Sequence, residues 1–213
     1  MKILVLGASG GVGKQLVRLA CDEGHAVTAI ARRTDGIDGR ARVVVDDVLR
    51  PGCFEEHSRG HDLVLSALGI KRTNPANPWS ALASPPDFSS RTAAMLVNAL
   101  RQHRVPRVIA VSAAGVAESA PRMNLLMKLF IARSNVGVGY RDLAVMERVY
   151  AESGLDWCCP RPTRLTNGPL TRRVKIVDAF PMTAAISRAD VAWWMLAHAA
   201  QPAPERTPMI SGV

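Results

Sequence analysis

Short apolar runs alternate along this chain with longer stretches in which apolar residues return every three or four positions. Lys2–Leu6 is rich in branched side chains without polar alternation, the pattern of a strand buried on both faces. Gly11–Glu23 carries Val12, Leu16, Val17, Leu19 and Ala20 at helical spacing and stops at Gly24. His25–Ala31, Arg42–Val45, Asp62–Ser66 and Arg107–Val111 repeat the strand pattern. Asp87–His103 places Ala93, Leu96, Val97 and Leu100 on one helical face, which makes it the crossover that a parallel strand pair requires.

The later pattern predicts helices over Met123–Ala132 and Gly139–Ser153. Strands are predicted over Asp156–Cys159, closed by Pro160-Arg161-Pro162, and over Lys175–Val177 and Ile210–Val213. Ser187 to Asp190 has the S-x-x-D spacing of a helix start. Lys71–Pro86 holds four prolines and reads as a loop over the sheet edge. No linker or repeat interrupts the series. It predicts an α/β fold with a doubly wound, mostly parallel sheet (a Rossmann fold) as one domain, 1–213.

Composition narrows the partners. Hydrophobic residues make up 48% of 213, enough for a sizeable core, and no apolar run is long enough to cross a bilayer. The start lacks a signal-peptide pattern, so a soluble, cytoplasmic protein is expected. The net charge is +9, yet the basic residues are scattered and aromatics reach only 5%. That disfavours nucleic acid, and an anionic small molecule explains part of the charge equally well; the expected partner is a small-molecule substrate, with the protein a monomer or homodimer. Cys21, Cys53, Cys158 and Cys159 form no C-x-x-C pair, and the histidines show no metal-binding spacing; no metal is expected. The cysteines read as small apolar fillers.

The informative chemistry lies between the first strand and first helix. Gly7, Gly10 and Gly13 stand in a G-x-x-G-x-x-G turn. Gly7 permits a tight exit from the strand, Gly10 or Gly11 lets the backbone approach a pyrophosphate, and Gly13 lets the helix pack closely. The helix N-terminus offers N–H groups to phosphate, and Ser9 adds a hydroxyl. The second strand ends in Arg32-Arg33, where an acidic residue would favour a free ribose hydroxyl. A guanidinium there grips a 2′-phosphate, so NADP (NADPH) is expected over NAD.

Seven segments resemble one superfamily: KILVLGASGGVG at 2–13, AIARR at 29–33, VVVDDVLRP at 43–51, DLVLSALG at 62–69, RVIAVSAAGV at 107–116, ESGLDWCCPRPTRLTNGP at 152–169 and ISRADVA at 186–192. The chain resembles the atypical short-chain dehydrogenase/reductase superfamily, in the NAD(P)-binding group that includes biliverdin reductase B (a flavin reductase) and the NmrA-like proteins. The resemblance implies a pyrophosphate turn at Gly7, Ser9, Gly10, Gly11, Val12 and Gly13, and a 2′-phosphate grip at Arg32 and Arg33. It implies that Asp47 and Val48 flank the adenine and that Ala67, Leu68 and Gly69 lie along its ribose. Ser112, Ala113 and Ala114 would lie beside the nicotinamide ribose, and Pro160, Arg161, Pro162 and Thr163 would pass the nicotinamide.

One departure matters. The superfamily's Tyr-x-x-x-Lys pair is absent, since Tyr140 is followed by Ala144 and Tyr150 by Gly154. Ser112 and Tyr140 remain the catalytic candidates. A cofactor contact for Ser112 and a packing role for Tyr140 are the competing readings. Glu147 reads as structural. The stripe of Met123, Leu125, Leu126, Met127 and Phe130 reads as packing, a pocket wall or a lid. Trp79 reads as a cofactor cover or an edge plug.

The expected function is an NADPH-dependent oxidoreductase passing hydride to a small planar or carbonyl acceptor such as a flavin or quinone. Two alternatives stand beside it: a non-enzymatic NADP(H)-binding redox sensor, and a nucleotide-sugar-type epimerase or dehydratase. An enzyme needs a cavity beside the nicotinamide, shaped on the substrate side by 160–186 and the loops 71–86 and 117–138.

Overall fold

The computed structural model describes residues 1–181, 183–201 and 203–213. Six parallel strands build the main sheet: β1 (Lys2–Leu6), β2 (Ala26–Ala31), β3 (Arg42–Val45), β4 (Leu63–Ser66), β5 (Arg107–Ala110) and β6 (Asp156–Cys158). Their order is β3-β2-β1-β4-β5-β6, so the chain reverses its direction of travel across the sheet between β1 and β4. Ligands in such sheets lie outside the carboxyl ends of the strands at that switch point.

Helices α1 (Gly11–Asp22), α2 (Cys53–His57), α3 (Phe88–His103), α4 (Leu125–Ala132), α5 (Val136–Ala151) and α6 (Arg188–Ala197) surround the sheet. Strand alternation divides the core into two layers. Ile3 and Val5 pack with α1 and α6, whereas Leu4 and Leu6 pack with α2, α3 and α5. Adjacent Cys158 and Cys159 fall into opposite layers, as strand geometry requires. Burial pushes the Cys158 and Cys53 thiols up to about 12, so both stay protonated as small apolar fillers.

Beyond β6 the chain forms two smaller sheets. In one, β7 (Arg161–Pro162), β11 (Met209–Gly212) and β9 (Val174–Ile176) pair in that order; in the other, β8 (Arg164–Thr166) pairs with β10 (Ala185–Ser187). The expected closing strand thus exists, but it belongs to the smaller sheet. Pro160-Arg161-Pro162 does more than end β6, because residues 161 and 162 form a strand of their own. Pro162 sits where its missing N–H costs no ladder bond, while the Arg161 N–H donates to Pro208 O and the Thr163 N–H to Ile210 O.

The segment 71–86 is a narrow irregular hairpin, bridged at Arg72 and Leu82. Its rungs are Ala83 N–H to Lys71 O and Thr73 N–H to Ala81 O. The prolines stand near the tip or beyond these rungs and spare the amides that pair. Helix α5 starts at Val136, three residues before the predicted Gly139. Helix α2 and a 3₁₀ turn over Ala117–Arg122 appear where no element was expected; both are too short to show a period. At the S-x-x-D start, Ser187 Oγ accepts the Asp190 N–H at 2.9 Å. The Asp190 carboxylate accepts the Thr171 and Arg172 N–H groups, each at 2.8 Å, tying α6 to the loop before β9.

Helix α3 takes its cap from another element. Its N-cap, Asp87, makes no side-chain cap bond. The Asp142 carboxylate, projecting from α5, instead accepts Ser89 N–H at 2.7 Å and Ser90 N–H at 3.0 Å. Those are two of the four amides that a helix N-terminus leaves open, and a negative charge there also meets the helix dipole. Asp142 is 5% exposed, so its removal strands both amides in the core. Asp142→Ala should lower unfolding stability by about 2–4 kcal/mol, with Asp142→Asn roughly half as costly, as read from urea midpoints at unchanged slope.

Candidate dinucleotide and acceptor site

Gly7 ends β1 with φ +73°, and an added Cβ would lie 2.7 Å from Ala67 O at the exit of β4. The tight turn is closed by the Gly10 N–H, which donates to Gly7 O at 2.8 Å. A Cβ on Gly13 would stand 2.1 Å from that same carbonyl oxygen. Helix α1 therefore lies almost on the end of β1. No side chain caps it, which leaves the first-turn amides available to a ligand.

A cleft of about 640 Å³ opens above this turn, along the carboxyl ends of β1, β2, β4 and β5. Of the residues singled out in the sequence, Gly7, Ser9, Gly10, Gly11, Val12, Arg32, Asp47, Val48, Ala67, Leu68, Gly69 and Ser112 line it. Gly13 lies beneath the turn and acts through packing. Arg33 is exposed beside the cleft and does not line it. Burial pushes the Lys71 ammonium below the usual lysine range, and nearby Arg32 and Arg33 add to the shift. Lys71 lines the cleft as well, so three cations gather at the β2 end.

The cleft also holds residues that the sequence did not single out. Arg188, the first residue of α6, lies so close to Gly11 that a Cβ there would meet its side chain at 2.5 Å. Its guanidinium donates to Asn167 Oδ1 at 2.7 Å. Nothing local marks Arg188, because β10 and its pairing with β8 bring it to the turn. Lys71 and Arg72 are two of the scattered basic residues of the sequence. The hairpin of 71–86 lays both against the cleft. Trp79, by contrast, lines neither this cleft nor its neighbour. Its Nε1–H donates to Arg133 O at 3.1 Å and its ring meets Phe130 edge-on, so it clips the hairpin to the end of α4.

A second cavity of about 460 Å³ adjoins the first. Arg72, Ser112 and Leu165 line both. Ala113, Ala114, Pro162, Thr163 and Tyr140 line the second, with apolar walls from Met127, Phe130 and Ile131 of α4 and from Phe180 and Pro181. Leu125 and Leu126, in the first turn of α4, are exposed and line neither cavity.

Pro160 and Arg161 line neither cavity and support the site from behind. Ser112 N–H donates to Pro160 O at 2.9 Å and Ala114 N–H to Pro162 O at 3.0 Å. The Arg161 guanidinium turns away into two ion pairs, a buried one with Glu147 and one with the exposed Glu118. It donates to Glu147 Oε1 at 2.9 Å and Oε2 at 2.5 Å, and to Glu118 at 2.6 and 3.0 Å. The Arg161 bond holds the Glu118 carboxyl down at about 2. Glu147 also accepts the Ser112 hydroxyl at 2.5 Å. The glutamate read as structural is thus the direct partner of a candidate site residue. Tyr140 O–H donates to Ala114 O at 3.2 Å, and burial pushes its pKa up. Neither hydroxyl has a lysine in its hydrogen-bonding environment.

Among the described residues, Asp46, Cys53 and His57 form the one trio of potential metal ligands. The Asp46 carboxylate takes the Arg50 guanidinium at 2.5 Å and His57 at 3.0 Å, so an arginine already supplies the positive charge at this spot. No helix among the described residues is long and apolar enough to cross a membrane.

A glycine turn at the switch point of a parallel sheet, an uncapped helix above it and a basic rim together define a dinucleotide-binding protein of the doubly wound class. The chain belongs to the NAD(P)H-binding family, whose model matches residues 7–202. A curated relative from a Streptomyces species, 3-diazoavenalumate denitrifying reductase, is 30% identical over 161 residues. That match covers 73% of this chain, and the chain spans about half (53%) of the relative's length. Anaerobilin reductase ChuY of Escherichia coli O157:H7 shares the fold with TM-score 0.79 and 21% identity, covering 99% of this chain and 96% of that one. A candidate NADH-flavin reductase of Streptococcus pneumoniae superposes with TM-score 0.74 and 20% identity over 100% of both chains.

The two inner glycines separate folding from binding. Gly13→Ala forces the helix off the strand and should lower both melting temperature and nucleotide affinity. Gly10 faces the open cleft, where an added Cβ meets only Gly7 O at 3.1 Å. Gly10→Ala should keep the melting temperature within a few degrees yet weaken NADPH binding about tenfold or more, by calorimetric titration.

Proposed function

We propose that the protein is an NADPH-dependent reductase that passes hydride to a small planar or carbonyl acceptor, a flavin or quinone being the type. The observation that carries this reading is the second cavity. It meets the dinucleotide cleft at Ser112, beside which the cofactor's reactive end would lie in this reading, and its apolar walls suit a flat ring. The segments 160–186, 71–86 and 117–138 act as the acceptor side of a single domain. A sensor would have no need of that enclosure.

Bound reduced cofactor brings hydride donation. The chain supplies position. Gly10, Gly11 and the first turn of α1 hold the pyrophosphate, while Arg32, Arg33 and Lys71 take the 2′-phosphate. Asp47 and Val48 border the adenine, Ala67 to Gly69 its ribose, and Ala113, Ala114, Pro162 and Thr163 the nicotinamide end. Ser112 spends its proton on Glu147 and so turns oxygen lone pairs toward the cleft; it orients a donor on cofactor or acceptor and does not protonate a product. Tyr140 O–H is likewise committed to Ala114 O. The proton that completes the reduction is left to water, which suits flavins and quinones and disfavours epimerase or dehydratase chemistry.

Oxidation of NADPH by FMN or a simple quinone, followed through the reduced-nicotinamide absorbance, tests the reading. Turnover dependent on both protein and acceptor supports it; tight NADPH binding with no turnover on any acceptor overturns it in favour of the sensor. For cofactor choice, the double variant Arg32→Ala/Arg33→Ala should lose about tenfold or more in NADPH affinity while NADH affinity stays level. Equal losses for both nucleotides would refute the 2′-phosphate role.

A further inference from the structure

The second cavity is apolar along most of its wall, and the charged residues among its lining all carry one sign. Arg72 and Arg164 contribute to its lining, and no aspartate or glutamate does among the described residues. Both arginines have hydrogen-bonding capacity to spare. Arg72 gives one Nη2–H to Pro75 O at 2.8 Å, while its buried Nε has no partner among the described residues. Arg164 is exposed and makes no ion pair among the described residues. Arg161, by contrast, is paired with Glu147 and Glu118, and Arg50 with Asp46 and Glu56.

Uncompensated guanidinium groups beside an apolar pocket repel a cationic ligand and gain little from a neutral one. They favour a ligand whose anionic group completes their hydrogen bonds, since a guanidinium fork matches carboxylate, sulfonate or phosphate geometry. From this we infer that the acceptor is an apolar, ring-bearing anion. Its ring packs against Met127, Phe130 and Phe180, and its anionic group is held by Arg164 with Arg72. The inference rests on the second cavity being the acceptor site. Arg72 also lines the dinucleotide cleft, where a cofactor phosphate can claim it. Arg164 lines only the second cavity and is therefore the residue to vary.

The probes are a matched dye pair, 8-anilinonaphthalene-1-sulfonate and neutral N-phenyl-1-naphthylamine, titrated by fluorescence onto the full chain saturated with NADP⁺. The sulfonate should bind about tenfold more tightly than the neutral dye. Arg164→Gln should remove most of that difference and leave the neutral dye unchanged. Arg133→Gln, at a surface arginine that lines neither cavity, should alter neither. Equal binding of the two dyes, or an Arg164→Gln variant that retains the sulfonate preference, would overturn the inference. Dye binding needs no turnover, so a protein that fails to oxidise NADPH yet shows the Arg164-dependent preference removes the reductase reading alone.

Discussion

The architecture depends on how closely α1 approaches the end of β1. Three glycines make that approach possible, and Gly13 is the tightest, with no room for even a methyl group above the Gly7 carbonyl. The close approach seats Val12 and Leu16 in the core layer shared with α6. It also sets the uncapped helix N-terminus directly over the switch point of the sheet. Packing and the open helix N-terminus are thus two results of one backbone contact.

At the far end of the cleft, position is set by charge. The backbone of 112–114 is bonded to Pro160 and Pro162, and the Ser112 side chain ends on Glu147. Glu147 in turn is fixed by Arg161, which is 1% exposed. Breaking such a buried pair costs far more than the pair itself contributes, because it leaves one charge unmatched in the interior. The result is a rigid rear wall behind Ser112. The front of the second cavity is built differently, from α4, the 71–86 hairpin and the loop before β10. These are surface elements whose side chains give shape and charge without deep packing.

Much of this was legible in the sequence because it follows from local periodicity. The unbroken apolar run of Lys2–Leu6, the glycine turn and the helical face of Phe88–His103 each state their structure within a few residues. The short strands Arg164–Thr166 and Ala185–Ser187 were not predicted, since neither carries adjacent β-branched residues such as Ile176-Val177. The site residues divide in the same way. Those on the turns after β1, β2, β3 and β4 stand next to recognisable strands. Arg188 reaches the glycine turn only through the pairing of β8 with β10, and Lys71 and Arg72 only through a proline-containing hairpin. Arg161 and Glu147 are fourteen residues apart on different elements, and no spacing rule connects them. Asp142 likewise caps a helix more than fifty residues away in sequence.

In the proposed reading one continuous site runs from the glycine turn to Ser112 and receives a reduced dinucleotide along its length. Amide hydrogen exchange with and without NADPH reads that site segment by segment. NADPH should slow exchange at 7–13, 31–33, 67–72 and 112–114 and leave the opposite ends of the strands, around 24–26 and 104–106, unchanged. Protection confined to 7–13, or protection that spares 112–114, would contradict that reading.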